Sequence, residues 1–183
     1  MTALDRSRSR DVPIWSMAPA LRRMARRQGD PPPLAQAWPC HQLADISPDD
    51  YADRLAVWAS TLEGVEEAAP PLDVTGRALA LDGDHAKGQP ESYVFAPVWL
   101  IVRPEGSLHL ALRPEWAQKV VSKGWGTVHP FARYMAGAIP PQSLVIYAPR
   151  DSREFAVVTR IIEASHGYAT GRIGNIALPD SRW

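Results

Sequence analysis

Residues 97–112 read PVWLIVRPEGSLHLAL, and this stretch decides how the centre of the chain folds. Its first half is an apolar run that stops at Pro104, and Pro104 with Gly106 supplies the backbone geometry of a tight turn. In its second half every other residue is a leucine, which is typical of a strand with one buried face. The stretch therefore predicts a β-hairpin in which His109 lies on the face opposite the leucines.

A strand followed by a helix is predicted further along the chain. Residues 144–155 read LVIYAPRDSREF, in which an apolar start leads to a proline and then to Asp151. Asp151 and Glu154 have the spacing of a capping box, so they predict a helix that begins here. Apolar residues then recur at helical spacing, and Gly167 predicts where this helix ends.

The remaining elements follow from similar patterns. In chain order they are a helix capped by Ser47 and ended by Gly64, a connector over 65–71, strands over 74–83 and 93–96, and a helix opened by Pro114 and ended by Gly124. This order of helix, strands, hairpin, helix, strand and helix predicts an α+β fold. We expect a single domain with a largely antiparallel sheet and helices packed on one face.

Composition and charge limit the classes of function. A chain of 183 residues with 45% hydrophobic content suits one globular domain, and a net charge of zero argues against a protein that coats nucleic acid or anionic membranes. The single cysteine, Cys40, excludes an internal disulfide and a multi-cysteine metal site, and we interpret it as a buried, inert thiol. No apolar run approaches the roughly 18 residues of a membrane span, and no signal core is visible, so a cytoplasmic protein is expected.

The first 39 residues differ from the rest, because they hold seven arginines and end in a run of three prolines. Ser16 and Pro19 predict a short amphipathic helix with Met17, Leu21 and Met24 on one face. Such a basic helix either lies on its own domain or binds a protein partner, an acidic lipid surface or RNA. We therefore divide the chain into an arm, residues 1–39, and a body, residues 40–183.

The spaced motifs together resemble the luciferase domain family of small, mostly uncharacterised bacterial and fungal proteins. The resemblance covers roughly residues 40–172 and rests on GSLHLAL (106–112), GWGxxHP (124–130), VIYAPRDSREF (145–155) and ASHGYATG (164–171). It implies a His-x-His-Pro segment in the family, whose two histidines correspond here to Ile101 and Arg103. Because clustered imidazoles could bind a divalent metal, the resemblance implies that this chain has lost such a site. No flavin, nucleotide or luciferin fingerprint is present, so light emission is not inferred.

Two histidines are the strongest candidates for chemistry. His109 lies on the strand face without leucines, and His129 follows a glycine-flanked tryptophan, so one near-neutral imidazole could act as general acid or base. Each also has a structural interpretation, as a hydrogen-bonding strand residue or as a cap for the short segment PFARYM (130–135). The predicted substrate-binding residues, chosen because arginine holds acid groups and aromatic rings line apolar pockets, are Arg103, Arg150, Trp125, Trp99 and Tyr147.

These residues predict a small enzyme or ligand-binding protein that acts on a compact, acidic organic molecule and uses neither a metal nor a cofactor. Isomerases, cyclases and lyases are the matching reaction classes, since none requires a redox group, and natural-product biosynthesis is a suitable context. The alternative is a non-catalytic accessory module that binds a protein partner through the basic arm. A third interpretation is a metal-dependent enzyme with ligands that the sequence does not reveal. No nucleic-acid partner and no membrane span are expected, and the sequence leaves the oligomeric state open.

Overall fold

The structure is a computed structural model that describes residues 18–132 and 142–172. Three α-helices and six β-strands lie in these two ranges. The helices are α1 (Tyr51–Ser60), α2 (Pro114–Ser122) and α3 (Ser152–Ala169), and the strands are β1 (Val65–Ala68), β2 (Arg77–Leu81), β3 (Val98–Val102), β4 (Leu108–Ala111), β5 (Gly126–Val128) and β6 (Ser143–Ile146). Short 3-10 turns cover Pro19–Leu21, Pro71–Asp73 and Pro90–Ser92.

The six strands form one sheet in the order β1-β2-β3-β4-β6-β5, and every neighbouring pair is antiparallel. Strands β3 and β4 are the hairpin predicted from residues 97–112. Its turn contains Gly106 at φ 93°, a backbone angle that glycine adopts without the steric cost of a side chain. The predicted single-domain α+β fold with an antiparallel sheet is confirmed.

The helices pack on one face of the sheet, which we call the helix side. The alternating leucines of the hairpin point to this side, as predicted, and they meet apolar residues of all three helices. Each fully buried leucine contributes roughly 1.5–3 kcal/mol to folding, so this layer is the main source of stability. Its central residues are Leu55, Leu79, Leu100, Leu108, Leu110, Trp116, Leu144 and Ile162.

Helix α3 begins as predicted and ends later than predicted. The Asp151 carboxylate accepts hydrogen bonds from the backbone N–H groups of Arg153 and Glu154, both at 2.8 Å. Glu154 reaches back one residue beyond the capping box and accepts from the Arg150 N–H at 3.0 Å. The prediction that Gly167 ends the helix is wrong, because residues 164–169 are buried and their packing holds the last turn together.

Several shorter elements differ from their predictions. The predicted connector over 65–71 contains β1, and residues 126–128 of the glycine-rich motif form β5, whereas residues 93–96 contribute only an isolated bridge between Phe95 and Val98. Ser47 does not cap α1, because its hydroxyl donates to the Pro149 carbonyl at 2.7 Å. Both missed strands are short edge strands. Their own sequences do not specify a strand, and pairing with the neighbouring strand of the sheet stabilises it.

The described part of the arm lies on its own domain. Ser16 and Met17 of the predicted helix fall outside the described residues, and Pro19–Leu21 form a 3-10 turn instead of an α-helix. Leu21 and Met24, the predicted apolar face, are buried in the helix-side core. The segment PFARYM also extends beyond the described residues. Within the described parts of the chain, no helix is both long and apolar enough to cross a membrane.

Residues 38–42 cross the opposite face of the sheet, and we call this segment the strap. Gln42 fastens one end of it: its backbone N–H donates to the Glu105 carboxylate at 3.1 Å, and its side-chain oxygen accepts from the Ala148 N–H at 3.0 Å. Trp38 fastens the other end, with its indole N–H on the Leu72 carbonyl at 3.1 Å. The sheet therefore has a helix side and a strap side.

Candidate functional site

The centre of the strap side is set by the register of the strands. His109 of β4 lies directly opposite Ile101 of β3 and Val145 of β6, and Val145 in turn lies opposite Thr127 of β5. Because side chains alternate along each strand while the neighbouring leucines enter the helix-side core, these four residues share the strap side. His129, two residues after Thr127, belongs to the same face. The observed register therefore places both histidines on one surface.

The two imidazole rings contact each other beneath the strap. Their centroids are 4.9 Å apart with an interplanar angle of 89°, an edge-to-face arrangement. His109 is 2% exposed and His129 is 3% exposed. On its outer side His129 also packs against the rings of Trp38 and Phe131, at 5.9 and 6.0 Å between centroids. An aromatic wall therefore separates the histidine pair from solvent.

Hydrogen bonds to the backbone fix the tautomer of each ring. Nε2 of His109 lies 3.1 Å from the Cys40 carbonyl, an oxygen that can only accept a hydrogen bond. Nδ1 of His129 accepts from the Phe131 N–H at 3.2 Å. Each neutral ring thus carries its proton on Nε2, and His109 donates its proton to the Cys40 carbonyl of the strap. Nδ1 of His129 is engaged by the Phe131 N–H, whereas Nδ1 of His109 holds a lone pair.

Both histidines are uncharged at neutral pH. Burial lowers the pKa of His109 to about 3, and the nearby His129 and Arg103 act in the same direction, against the hydrogen bond to Cys40. Burial also lowers the pKa of His129 to about 4, against its hydrogen bond to Pro39. An imidazole without charge can accept a proton, so the pair is in the state that a general base requires.

Arg103 brings a positive charge to the same side of the sheet. It follows Ile101 by two residues, is 3% exposed, and donates from Nη1 to the Thr75 carbonyl. Its Nε–H is buried and has no hydrogen-bond partner among the described residues. Burial lowers the pKa of Arg103, while the Glu105 carboxylate opposes that shift. A buried guanidinium with an unused donor is suited to hold an acid group.

Cys40 lies in the strap, between the histidine pair and Arg103. Its φ of 63° is uncommon for a residue with a side chain, and its sulfur is fully buried. Burial raises the pKa of the Cys40 thiol, and Arg103 only partly offsets this. The thiol is therefore protonated at neutral pH, which agrees with an unreactive side chain. In this structure Cys40 contributes its backbone carbonyl.

The structure places Trp99 and Trp125 apart from the histidine pair. Trp99 lies in the helix-side core, with its ring 5.2 Å from that of His166. Trp125 donates from its indole to the Ala25 carbonyl at 2.7 Å. These contacts explain both tryptophans as packing residues, one in the core and one that holds the arm.

Arg150 and Tyr147 lie at the edge where the arm meets the body. The guanidinium of Arg150 donates to Glu154 from Nε at 3.1 Å and to the Gln28 carbonyl from Nη2 at 2.7 Å. The ring of Tyr147 lies beneath Arg27, whose guanidinium carbon is 5.5 Å from the ring centroid. Of the seven predicted residues, the structure thus brings His109, His129 and Arg103 together on the strap side. Tyr147, two residues after Val145, lies near enough to the strap for Cys40 to contribute, after burial, to its raised pKa.

Three residues that line this site were not predicted from the sequence. Trp38 and Phe131 form its aromatic wall, and Ser143 lies on the strap side of β6, 2% exposed and opposite His129, whose N–H donates to the Ser143 carbonyl at 2.9 Å. Trp38 and Phe131 lie outside regular elements, so no periodicity pointed to them. Ser143 is recognisable from the sequence only once the alternation of Leu144 and Ile146 has been assigned to the helix side.

Three surface cavities formed by described residues lie away from the histidine pair. Their volumes are about 370 to 440 Å³: one lies beside the arm, one between α2 and the β5–β6 edge, and one between α1 and α3. None of these three includes His109 or His129. Over residues 18–132 and 142–172, no group of three or more His, Cys, Asp or Glu side chains could hold a metal ion.

Comparison with known proteins supports the predicted resemblance over the centre of the chain. Residues 99–165 match the family model described as Luciferase domain, a narrower range than the one predicted. A protein of Armillaria gallica named luciferase is 52% identical over 72 residues, which are 39% of this chain and 27% of that protein. Luciferases of Armillaria mellea and Neonothopanus nambi are 52% and 44% identical over 64 residues, 35% of this chain and 24% of each. The matched segment is about a quarter of these relatives' length, and no solved structure matches the chain.

Proposed function

We propose that this chain, whose residues 99–165 match the luciferase domain, binds a compact organic acid on the strap side and transfers a proton to or from it. The observation that carries the proposal is the buried, uncharged pair of His109 and His129 beside the buried guanidinium of Arg103. Proton transfer of this kind serves isomerisation, cyclisation and elimination. It needs no group beyond the side chains on this face.

The hydrogen bonds support different roles for the two histidines. Nδ1 of His109 carries a lone pair, so His109 is the proton acceptor in the proposal. Nδ1 of His129 already accepts from the Phe131 N–H, so in the proposal His129 positions the ring of His109, which it contacts edge to face. This assignment narrows the sequence prediction, which gave the two histidines the same role.

An acid ligand bound beside His109 raises the pKa of this histidine, which is the change that a catalytic base needs. A base works best when its pKa lies near the working pH, whereas the pKa of His109 without ligand is about 3. A carboxylate held beside Arg103 places a negative charge near the imidazole, and such a charge raises the pKa of a histidine. The binding of substrate therefore activates the base. Because His109 is 2% exposed, the ligand reaches it only when the strap contacts open.

The names of the relatives support a small organic substrate. A luciferase acts on a small molecule, and the family match over residues 99–165 covers the positions of His109, His129 and Arg103. Light emission is not part of the proposal, because the shared segment is about a quarter of those proteins.

Deuterium exchange tests the proton-transfer step by itself, whatever the complete reaction is. The purified protein is incubated in D2O with small acids that contain a weakly acidic C–H bond, phenylpyruvate first, and NMR follows the loss of the C–H signal. We expect exchange above the protein-free rate, and we expect His109→Gln to lower the catalysed rate by about 10²–10⁴-fold.

The matched control is His85→Gln, which makes the same substitution in a loop at the far end of the sheet, where His85 contacts Asp82 and Glu63. This variant should exchange deuterium as the wild type does. Exchange that never exceeds the protein-free rate, or that survives unchanged in His109→Gln, would contradict the proposed function.

A further inference from the structure

Ser143 is a buried polar residue whose hydroxyl makes no hydrogen bond to the described residues. It is 2% exposed, and its Oγ has no hydrogen-bond partner within the described part of the chain. Nearly all buried polar side chains in proteins are hydrogen-bonded, so an unused hydroxyl calls for an explanation. Ser165, on the helix side, shows the usual situation, since its hydroxyl donates to the Ala111 carbonyl at 2.9 Å.

The sheet register places this hydroxyl beside the histidine pair. Leu144 and Ile146 enter the helix-side core, so Ser143 and Val145 face the strap side. Ser143 lies opposite His129, whose N–H donates to the Ser143 carbonyl, and one diagonal step from His109, which pairs with Val145. Cross-strand neighbours on one face lie within side-chain reach, so Ser143 belongs to the floor beneath the two rings.

We propose that Ser143 is a substrate-binding residue of this site, and that the substrate is an acid with a carbonyl group next to its acidic C–H bond. This inference rests on the proposed function. When His109 Nδ1 removes the proton, the C–H bond breaks and its electron pair forms a C=C bond, which moves negative charge onto the carbonyl oxygen as an enolate. The Ser143 O–H donates to that oxygen and stabilises the developing charge. The return of the proton to carbon restores the carbonyl compound.

A hydroxyl kept for substrate has a measurable consequence in the free protein. Because the unpaired hydroxyl costs stability, its removal in Ser143→Ala should raise Tm by about 2–4 °C. The matched substitution Ser165→Ala deletes a paired hydroxyl on the helix side and should lower Tm instead. A fall in the Tm of Ser143→Ala would show that the hydroxyl has a structural partner and would overturn the proposal.

The binding test uses two probe acids, phenylpyruvate and 3-phenylpropanoate. They differ only in that the second has a CH2 group where the first has its ketone. Dissociation constants are measured from the imidazole NMR signals of His109 and His129 in the wild type, Ser143→Ala and Ser165→Ala. Because a site that hydrogen-bonds an oxygen disfavours the analogue without it, we expect the wild type and Ser165→Ala to prefer phenylpyruvate by about tenfold or more. The preference should disappear in Ser143→Ala.

The possible outcomes separate this inference from the proposed function. Equal binding of the two acids by the wild type, or a preference that survives in Ser143→Ala, overturns the role of Ser143 and leaves acid binding intact. If neither acid shifts the imidazole signals, the proposed acid site itself is wrong, and the inference falls with it.

Discussion

Both sides of the sheet are buried, but they differ in the side chains that they bury: mostly apolar groups on the helix side, and a cluster of polar groups on the strap side. On the helix side, leucines fill the space between the sheet and three helices, and the indole N–H of Trp99 is an exception among mostly apolar groups. On the strap side, two histidines, an arginine and a serine lie within one patch, all at most 3% exposed. Of the eight buried side-chain atoms without a hydrogen-bond partner among the described residues, two are part of that patch, Arg103 Nε and Ser143 Oγ. The other six belong to Arg27, Trp99, Arg113, Glu115 and Gln142.

This difference indicates what each side is for. Apolar burial stabilises the fold, whereas buried polar groups without partners cost free energy and are retained where they serve a function. The strand β4 shows the division within adjacent residues, since Leu110 enters the core and His109 enters the patch. Substitutions on the helix side should therefore act on stability alone, whereas substitutions in the strap-side patch should also act on ligand chemistry.

The largest expected effect on stability comes from the helix side. Leu110→Ala removes a fully buried side chain from the core and should lower the free energy of unfolding by about 2–5 kcal/mol in urea denaturation. Leu43→Ala, at a position that is 57% exposed, is the control and should change it by less than about 0.5 kcal/mol. Similar losses at the two positions would contradict the assignment of the core.

Acid should destabilise the protein through the strap side. The pKa values of His109 and His129 are about 3 and 4 in the folded state and about 6.5 in the unfolded chain, so the unfolded state binds more protons. Their contribution is complete above pH 6.5 and is lost as the pH falls below it. Between pH 7 and pH 5 the free energy of unfolding should fall on the order of 3 kcal/mol, and His109→Gln should remove about half of that slope.

His85 gives the opposite sign and serves as the control for that measurement. Its hydrogen bond to Asp82, followed by that to Glu63, raises the pKa of His85, so any stabilisation it provides is present below pH 6.5 and is lost as the pH rises through the folded pKa. The acid slope should therefore persist in His85→Gln. An equal slope in wild type and His109→Gln would show that other groups cause the acid sensitivity.

A smaller effect on the free energy of unfolding is expected from a substitution where the arm meets the body. Glu154 accepts hydrogen bonds from the backbone and guanidinium of Arg150 and lies 3.8 Å from Nε of the buried Arg27. Glu154→Gln keeps the size of the side chain and removes its charge, so unfolding should become easier by about 1–2 kcal/mol. Glu163→Gln, exposed on the same helix, should be neutral. Deuterium exchange should be unchanged in both, and a specific loss in Glu154→Gln would instead place Arg150 in the ligand site.

The sequence predicted the elements whose structure is specified by their own residues. The hairpin, α2 and the start of α3 have strong alternation, caps and turn residues, so local patterns were sufficient. By contrast, β1 and β5 have four and three residues at the edges of the sheet, and their pairing partners determine them. The sequence of the strap has no periodicity, so no local pattern predicts it. Long-range hydrogen bonds of Gln42 with Glu105 and Ala148 hold it in place.

The candidate site was predictable to the extent that it depends on strand alternation. That rule placed His109 on the face opposite the leucines. It did not reveal the position of Trp99, because the register between β2 and β3 shifts at Leu79 and Ala80, and Trp99 enters the helix-side core. The contacts of Trp125 and Arg150 with the arm depend on where the arm lies, which no local pattern specifies.

The most direct test of the buried histidine pair is an NMR pH titration of the ¹⁵N and ¹³C signals of the His109 and His129 rings. Both rings should show the Nε2–H tautomer and should remain neutral from pH 8 to about pH 5, since their pKa values lie at about 3 and 4. Addition of phenylpyruvate should then raise the pKa of His109. Titration of either ring near pH 6.5, or an Nδ1–H tautomer, would contradict the buried, strap-bound histidine pair on which the proposed function rests.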